Sequence, residues 1–513
     1  LLCTSDDSKI NLWNIDDDKL VATFISADET DEITEYLTDT IGNFIVLTPD
    51  NYYTCSKGAY KGVAFRIGNR AYPFEQFDLR LNRPDIVMER LGYADQTTID
   101  NMKKAYLLRL KKMGFTQEQL DTTFHLPEIV LKDDIWNYKT DERSVKINLI
   151  VKDSIYQLRQ LNVFNNNVPI YGTEGKNLVG KNKESKTEFG NKQYYYDTTL
   201  TIPLITGDNK LQFSVLNEGG TESLYATRYV TCNDATYKPQ LYIVAIGISD
   251  YPQEAGLDSL KYADNDADSI VKVFSSQSRF DKESIHVIEL KNNEATLDSI
   301  KNIKNTLMKT NPEDEVIVHF SGHGILDDSC DFRFANYDIL EENPIATGLA
   351  YDAMDNLVDG IPALKKVIFI DACHSGEDMT NEYYAYIQSE NSDKKKGYIK
   401  SEDAKKICFK SLQKVVELQE QLFSDLRRGS GAIVISASRG SQSAYEPTLN
   451  EFQNGVFTHF VIEGLMEISN EKGSVRISEL MDYVLNKMKD SKYNQTPTFR
   501  RENLENDYVI FSK

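Results

Sequence analysis

No run of about 18 consecutive apolar residues occurs in the 513-residue chain, so no segment is expected to cross a bilayer as a helix. No signal peptide is visible either. Cysteine is scarce: six are scattered without repeating spacing, which argues against a disulfide framework and against a zinc site. Positive charge is outnumbered as well. The formal net charge is −21 and the isoelectric point about 4.9, with no basic stripe, so nucleic acid is not an expected partner. What remains is ordinary globular composition, 40% hydrophobic and 11% aromatic. The length suggests about three domains.

Two short stretches stand out against that background: EVIVHFSGHG, ending in His323 and Gly324, and KVIFIDACHSG, centred on Cys373. Each is an apolar, β-branched run that stops at small residues and then presents one base or nucleophile. A buried parallel strand reads this way, and reactive groups in open α/β sheets sit just past the carboxyl ends of such strands. A free thiol, with its pKa of about 8.5, is only a few per cent thiolate at neutral pH. A nearby imidazole supplies the base, or holds the thiolate as an ion pair, and later protonates a leaving amine. The tetrahedral intermediate needs donors aimed at its oxyanion. The N–H groups of Gly324 and Cys373 are the candidates. Glycines 322, 324 and 376 let the backbone turn tightly around a substrate.

The other members of both residue types carry plainer readings. His125, His286 and His459 are taken as solvated or satisfied core residues, and His319, inside VIVHF, as a packed one. Cysteines 3, 55, 232, 330 and 408 lack the strand-to-glycine context and read as ordinary buried thiols.

Residues 237–513 resemble the caspase and metacaspase cysteine peptidases, and metacaspases more closely. The likeness rests on QLYIVAIGISDY, LKYADNDADSIVKVF, HFSGHG, IDACHSG and GAIVISASRGSQSAYE. The histidine also precedes the cysteine by fifty residues, the caspase separation. The resemblance implies an α/β fold, a mostly parallel sheet flanked by helices. It also implies an endopeptidase with His323 as base, Cys373 as nucleophile and Gly324 in the oxyanion hole. In metacaspases the pocket for the residue before the scissile bond (S1) is acidic and selects Arg or Lys. Asp266, Ser321 and Asp371 match its parts one by one, whereas a cysteine common in its wall is Ala263 here. Acidic specificity, as in animal caspases, is the alternative, with Arg439 as its candidate. The animal motif, however, has arginine after the cysteine, where this chain has His374.

No cofactor is expected to be required and no metal ligand is assigned. Calcium activation, frequent in metacaspases, stays open, but the family's paired acids are here Asp352 and Ala353, with Asp338 nearby. One lost carboxylate weakens a site that wants six or more oxygens.

The N-terminal region reads as further modules. TSDDSKINLWN, with Trp13-Asn14 ending a strand, resembles a WD40 blade, and KLVATF would be that blade's last strand. A propeller needs about four to eight blades, so residues 1–80 are expected to be a truncated propeller remnant whose upstream part, with any targeting signal, lies before residue 1. NFIVLT and GVAFRIG would form a final irregular blade. Residues 81–135 predict a helical connector, its second helix capped by Thr97 or Asp100 and ended by Gly114. Residues 136–236 switch to period two and predict an immunoglobulin-like β-sandwich without the Cys…Trp…Cys signature. Its polar stretch 172–192 is expected to be a solvated hairpin or loop.

Residues 377–428 form a long insertion after the nucleophile, and loops beyond about 15 residues are usually functional or disordered. Its later part, 401–426, predicts an amphipathic helix. With a basic preference at S1, Lys396, Arg427 and Arg428 become candidate self-processing sites. The expected protein is an intracellular, cytoplasmic, bacterial-type cysteine endopeptidase acting on protein or peptide substrates. Protein partners would dock through the WD40 and immunoglobulin-like parts. Two other classes stay open: a scaffold that uses the fold only for binding, and an enzyme passing the acyl group to an amine instead of water.

Overall fold

The computed structural model describes residues 2–4, 9–26, 44–56, 59, 63–67, 69–92, 94–120, 124–132, 137–186, 192–326, 332–372, 397–399, 429–438, 444–447, 452–493, 495–501 and 507–513. At the N-terminus an antiparallel five-stranded sheet runs Leu2–Thr4, Lys9–Asn14, Lys19–Ser26, Phe44–Leu47 and Tyr53–Cys55, in that order. Its middle strand carries KLVATF and pairs with Lys9–Asn14 on one edge and Phe44–Leu47 on the other. KLVATF is therefore not an outermost strand, and NFIVLT continues its sheet instead of beginning a separate blade. Burial explains this. Ala22 and Val46 pack on Val87 from one face, while Ile45 and Tyr53 pack on Phe74 from the other.

The connector holds two main helices, Pro84–Leu91 and Gln96–Lys112. Pro84 opens the first, where its missing N–H costs nothing, and Gly92 closes it in the left-handed region at φ 69°. Asp95 caps the second, its carboxylate accepting the N–H of Thr98 at 2.8 Å. The expected caps, Thr97 and Asp100, fall inside the helix because the extended backbone of Asp95 starts it earlier. Gly114 ends it at φ 66°, as its position predicts.

The connector is shorter than expected. Glu128–Leu131 already pairs with Ser144–Asp153, so the β-rich region begins before residue 136. Two sheets follow, one built on Ser144–Asp153 and Lys192–Pro203, the other on Leu158–Asn165, Gly207–Asn217 and Ala226–Cys232. They share one core, in which Leu149, Val151 and Leu200 of the first meet Leu161, Phe213 and Val230 of the second. Alternating burial along Ser144–Asp153 is the expected period of two. Within the polar stretch the exposed strand Lys183–Lys186 pairs with Lys192–Pro203 as the expected hairpin, and at its exposed start the N–H and hydroxyl of Thr173 donate to Asp359, at 2.9 and 3.0 Å.

The C-terminal α/β unit is a six-stranded sheet. Its strands are β1 (Leu241–Gly247), β2 (Ile285–Lys291), β3 (Glu315–Ser321), β6 (Lys365–Asp371), β8 (Ile433–Ser436) and β9 (Thr498–Arg501). A small side sheet contributes β4 (Gly324–Leu326), β5 (Phe332–Phe334) and β7 (Gly397–Ile399). The main order is β2-β1-β3-β6-β8-β9, parallel except for β9. Helices α1 (Ala263–Ser275), α3 (Val456–Lys472) and α4 (Ile477–Asp490) cover one face, and α2 (Leu297–Leu307) lies on the other. Strands covered on both faces carry nearly continuous apolar runs. β1 and β3 are buried along their whole length.

Register then aligns the strand ends: Gly247 pairs with Ser321, and Ser321 with Asp371. The sandwich meets the opposite, amino-terminal ends of the strands. Glu313, two residues before β3, accepts bonds from the Arg143 guanidinium and from the Thr206 N–H and hydroxyl. Gly431, just before β8, leaves room for Val168, since a Cβ there would lie 2.8 Å from that side chain.

Candidate active site

His323 follows β3 by two residues and is 4% exposed. Its Nε2 lies 2.7 Å from the carbonyl oxygen of Asp258. A carbonyl only accepts, so Nε2 carries a proton, and Nδ1 is the nitrogen left to take one up or give one away. That is the arrangement a general base needs.

The loop bearing Asp258 is held from several sides. Gly256 turns it at φ 62°, Leu260 donates its N–H to Ser249 O at 2.8 Å, and Glu446 accepts the N–H groups of Lys261 and Tyr262, both at 2.8 Å. Glu446 is 1% exposed. Two charge-assisted bonds offset its desolvation. Gly324 opens β4, opposite Phe334 in β5 and beside Gly397 in β7. Ala335 donates to His323 O at 2.9 Å, which makes His323–Ala335 the bonded pair of the ladder. By alternation the N–H of Gly324 points away from β5, toward the β7 edge.

The described chain of β6 continues to Ala372, one residue short of the candidate nucleophile. Cys373 lies outside the described residues, as do Lys396, Arg427, Arg428, Arg439 and the helix expected over 401–426.

The three S1 candidates come together. The Ser321 hydroxyl donates to Asp266 Oδ2 at 2.6 Å. The other oxygen of Asp266 accepts from Gly455 N–H at 2.8 Å and from Asn454 Nδ2 at 3.1 Å. Asp371 accepts the N–H and hydroxyl of Thr458 at 3.2 and 2.7 Å. Because that hydroxyl donates to Asp371, it accepts from His319 Nε2, 3.1 Å away. All three S1 candidates are fully buried. Gly455 and Thr458 belong to the first turn of the 17-residue helix α3, so both carboxylates sit where the helix end is positive. Each carboxyl group is held from within the protein by donors of α3 and its approach.

The remaining candidates have structural partners. His319 packs as expected, His286 stacks on Tyr242, and His125 meets the Ser154 hydroxyl at 3.0 Å. His459 stacks on Phe452 at 3.9 Å, and burial pushes its pKa down. Cys55 and Cys232 are buried and not in disulfides, and burial pushes the Cys55 thiol up to about 12. Asp338 accepts from Leu297 N–H and from Asn336 at the start of α2, while Asp352 is exposed. Among the described residues no three His, Cys, Asp or Glu side chains group as a metal site. No described helix is long and apolar enough to cross a membrane.

Sequence reasoning missed Tyr251, the Asp258 carbonyl, Glu446, Asn454 and Thr458. Two of them were within view, since Tyr251 ends the motif QLYIVAIGISDY and Glu446 ends SAYE. Residues 241–509, from β1 to the last strand, match the family model described as the caspase domain, Peptidase_C14. A search of curated proteins found no match to the chain.

Proposed function

Because the chain belongs to the caspase-domain family of C14 peptidases, we propose that it is a cysteine endopeptidase in which His323 and Cys373 form the catalytic dyad. The observation that carries this reading is the Asp258 carbonyl fixing the Nε2–H tautomer of His323 at the end of β3. With Nδ1 basic, His323 takes the thiol proton and the Cys373 sulfur attacks the peptide carbonyl carbon. The oxyanion is received by the N–H groups of Gly324 and Cys373. The C–N bond then breaks, the imidazolium returns its proton to the leaving amine, and water hydrolyses the thioester with His323 as base again.

Cleavage after Arg or Lys is the proposed specificity. It is supported by the convergence of Asp266, Ser321 and Asp371 at one strand edge and by the net charge of −21, which draws cationic peptides. A competing reading has its own observation. Both carboxylates are engaged by α3 and its approach, so they would hold that helix while P1 is read elsewhere, with acidic specificity or a binding scaffold as the consequence. The five-stranded sheet and the sandwich serve in this proposal as WD40-type and immunoglobulin-like docking modules.

Fluorogenic peptides ending in Arg, Lys or Asp, offered to wild type, Cys373→Ala, His323→Ala and Asp371→Asn, decide among these. Basic peptides should be cut by wild type, with kcat at least about a thousandfold lower in the two dyad variants. Cleavage only after Asp reverses the pocket assignment, and no cleavage of any peptide favours the scaffold. Self-processing is tested separately. Incubated wild-type protein should split into fragments meeting within 377–428 while Cys373→Ala stays whole. Wild-type protein that also stays whole removes Lys396, Arg427 and Arg428 as processing sites.

A further inference from the structure

The β4/β5 ladder pairs Gly324 with Phe334, and one step outward His323 faces Ala335. Residues in such a bonded pair normally exchange two N–H···O bonds. Here one is direct, from Ala335 N–H to His323 O at 2.9 Å. The other is interrupted. His323 N–H donates to the Tyr251 hydroxyl at 3.0 Å, and that hydroxyl donates onward to Ala335 O at 3.2 Å. A side-chain oxygen is thus spliced into the ladder at the residue proposed as the base.

Space is kept for it. A Cβ on Gly322 would lie 2.9 Å from the Tyr251 oxygen and 3.1 Å from the Phe334 ring. The Tyr251 ring also packs against the imidazole, with centroids 5.2 Å apart. Its own chain segment is anchored, because Asn292 Oδ1 accepts the N–H groups of Ser249 and Asp250 at 2.8 and 3.0 Å.

We propose that Tyr251 is a positioning residue of the reaction, its hydroxyl setting the backbone of His323 and its ring the plane of the imidazole. This rests on the dyad reading and deepens it. Asp258 fixes which nitrogen is basic, and Tyr251 fixes where that nitrogen points. Without the hydroxyl, the His323 N–H and the Ala335 carbonyl either close on each other, dragging the histidine inward, or remain apart without their bridge. The first displaces Nδ1, and the second leaves its position unheld.

Tyr251→Phe keeps the ring and removes the oxygen. Its kcat on the best peptide substrate is expected to fall by roughly thirty- to a hundredfold, the scale of an ångström-level misplacement, with KM changed less than about twofold, as for a group acting in the transition state. The second readout is the pH dependence of iodoacetamide alkylation, taken as the difference from Cys373→Ala so that only Cys373 is followed. A weaker thiolate–imidazolium pair should shift that profile upward, toward the free-thiol value of about 8.5. A merely structural residue would lower the melting temperature and leave the profile in place.

A double variant adds an independent check. Gly322→Ala presses a methyl group on the hydroxyl and should also lower kcat. With the oxygen removed the tighter of the two contacts is gone and only the Phe334 ring, 3.1 Å away, has to give, so Gly322→Ala/Tyr251→Phe should lose less than the product of the two single losses, a non-additive result. Wild-type kcat and alkylation profile in Tyr251→Phe, with His323→Ala inactive, overturn the positioning role and leave the dyad standing. So does a loss of kcat with an unmoved profile. An active His323→Ala overturns the dyad itself.

Discussion

Glu446→Gln is expected to lower kcat by roughly a hundredfold, although the residue touches neither substrate nor dyad. Its carboxylate accepts the N–H groups of Lys261 and Tyr262, and the same loop presents the Asp258 carbonyl to His323 Nε2 at 2.7 Å. An amide keeps one acceptor and turns its NH2 toward the other N–H, so donor meets donor in a fully buried place. An unsatisfied buried donor costs about 1–3 kcal/mol, and the loop relieves it by moving. The carbonyl moves too, and a displacement of about 1 Å near reacting groups can cost a hundredfold in rate. The check is kcat of the Gln variant at matched folded fraction, together with the Nε2–H signal of His323 by NMR. A variant within threefold of wild type, with that signal unchanged, would show that the loop holds its place without the carboxylate.

The second large effect is on stability. Gly247→Ala places a methyl group well inside contact distance of the Ala263 carbonyl oxygen and 2.9 Å from the Cα of Asp264. Both are main-chain atoms of the first turn of α1, so no side-chain rotation relieves the clash. The helix must retreat from β1. Asp266 retreats with it, away from Ser321 and Gly455. Overpacking of a close-packed core costs typically about 1–3 kcal/mol, and a backbone clash belongs at the upper end. For a domain of this size about 3 kcal/mol corresponds to a melting-temperature loss of roughly 6–12 °C. Calorimetry of the full chain checks this. An unchanged transition would mean that α1 and β1 are less tightly seated than their separation implies.

What the sequence disclosed follows from which interactions leave a mark on composition. β1, β3 and β6 are covered on both faces, so each carries a nearly continuous apolar run, Val316–Val318 and Val367–Ile370 among them, and the runs stop abruptly at short residues. His323 was legible for that reason. Its partners were not. Asp258 acts through a backbone carbonyl, which any residue supplies, and Tyr251 acts through an oxygen more than seventy residues away along the chain.

Ser321 and Asp266 were legible through the family likeness, but the donors from Asn454, Gly455 and Thr458 were not, because a helix start becomes an anion partner only once the chain has folded it there. Toward the N-terminus the difficulty was competition between near-equal signals. Asp95, Thr97 and Asp100 are all capping residues within six positions, and only the extended backbone at Asp95 decides among them. Glu128–Leu131 is too short to announce itself as a strand beside so much helix. Only its pairing with Ser144–Asp153 identifies it.

The neighbourhood of β6 and β8 decides what a severed chain would become. The two strands flank the stretch 377–428 in sequence, yet they pair directly, Val367 with Ile433 through Ile370 with Ser436. Phe369 on one side of that stretch shares a core with Val456, Phe457 and Leu465 on the other. Glu446 reaches back across the same divide. A nick there would convert the polypeptide into an interlocked two-chain particle, its halves parted by detergent but eluting together on a sizing column.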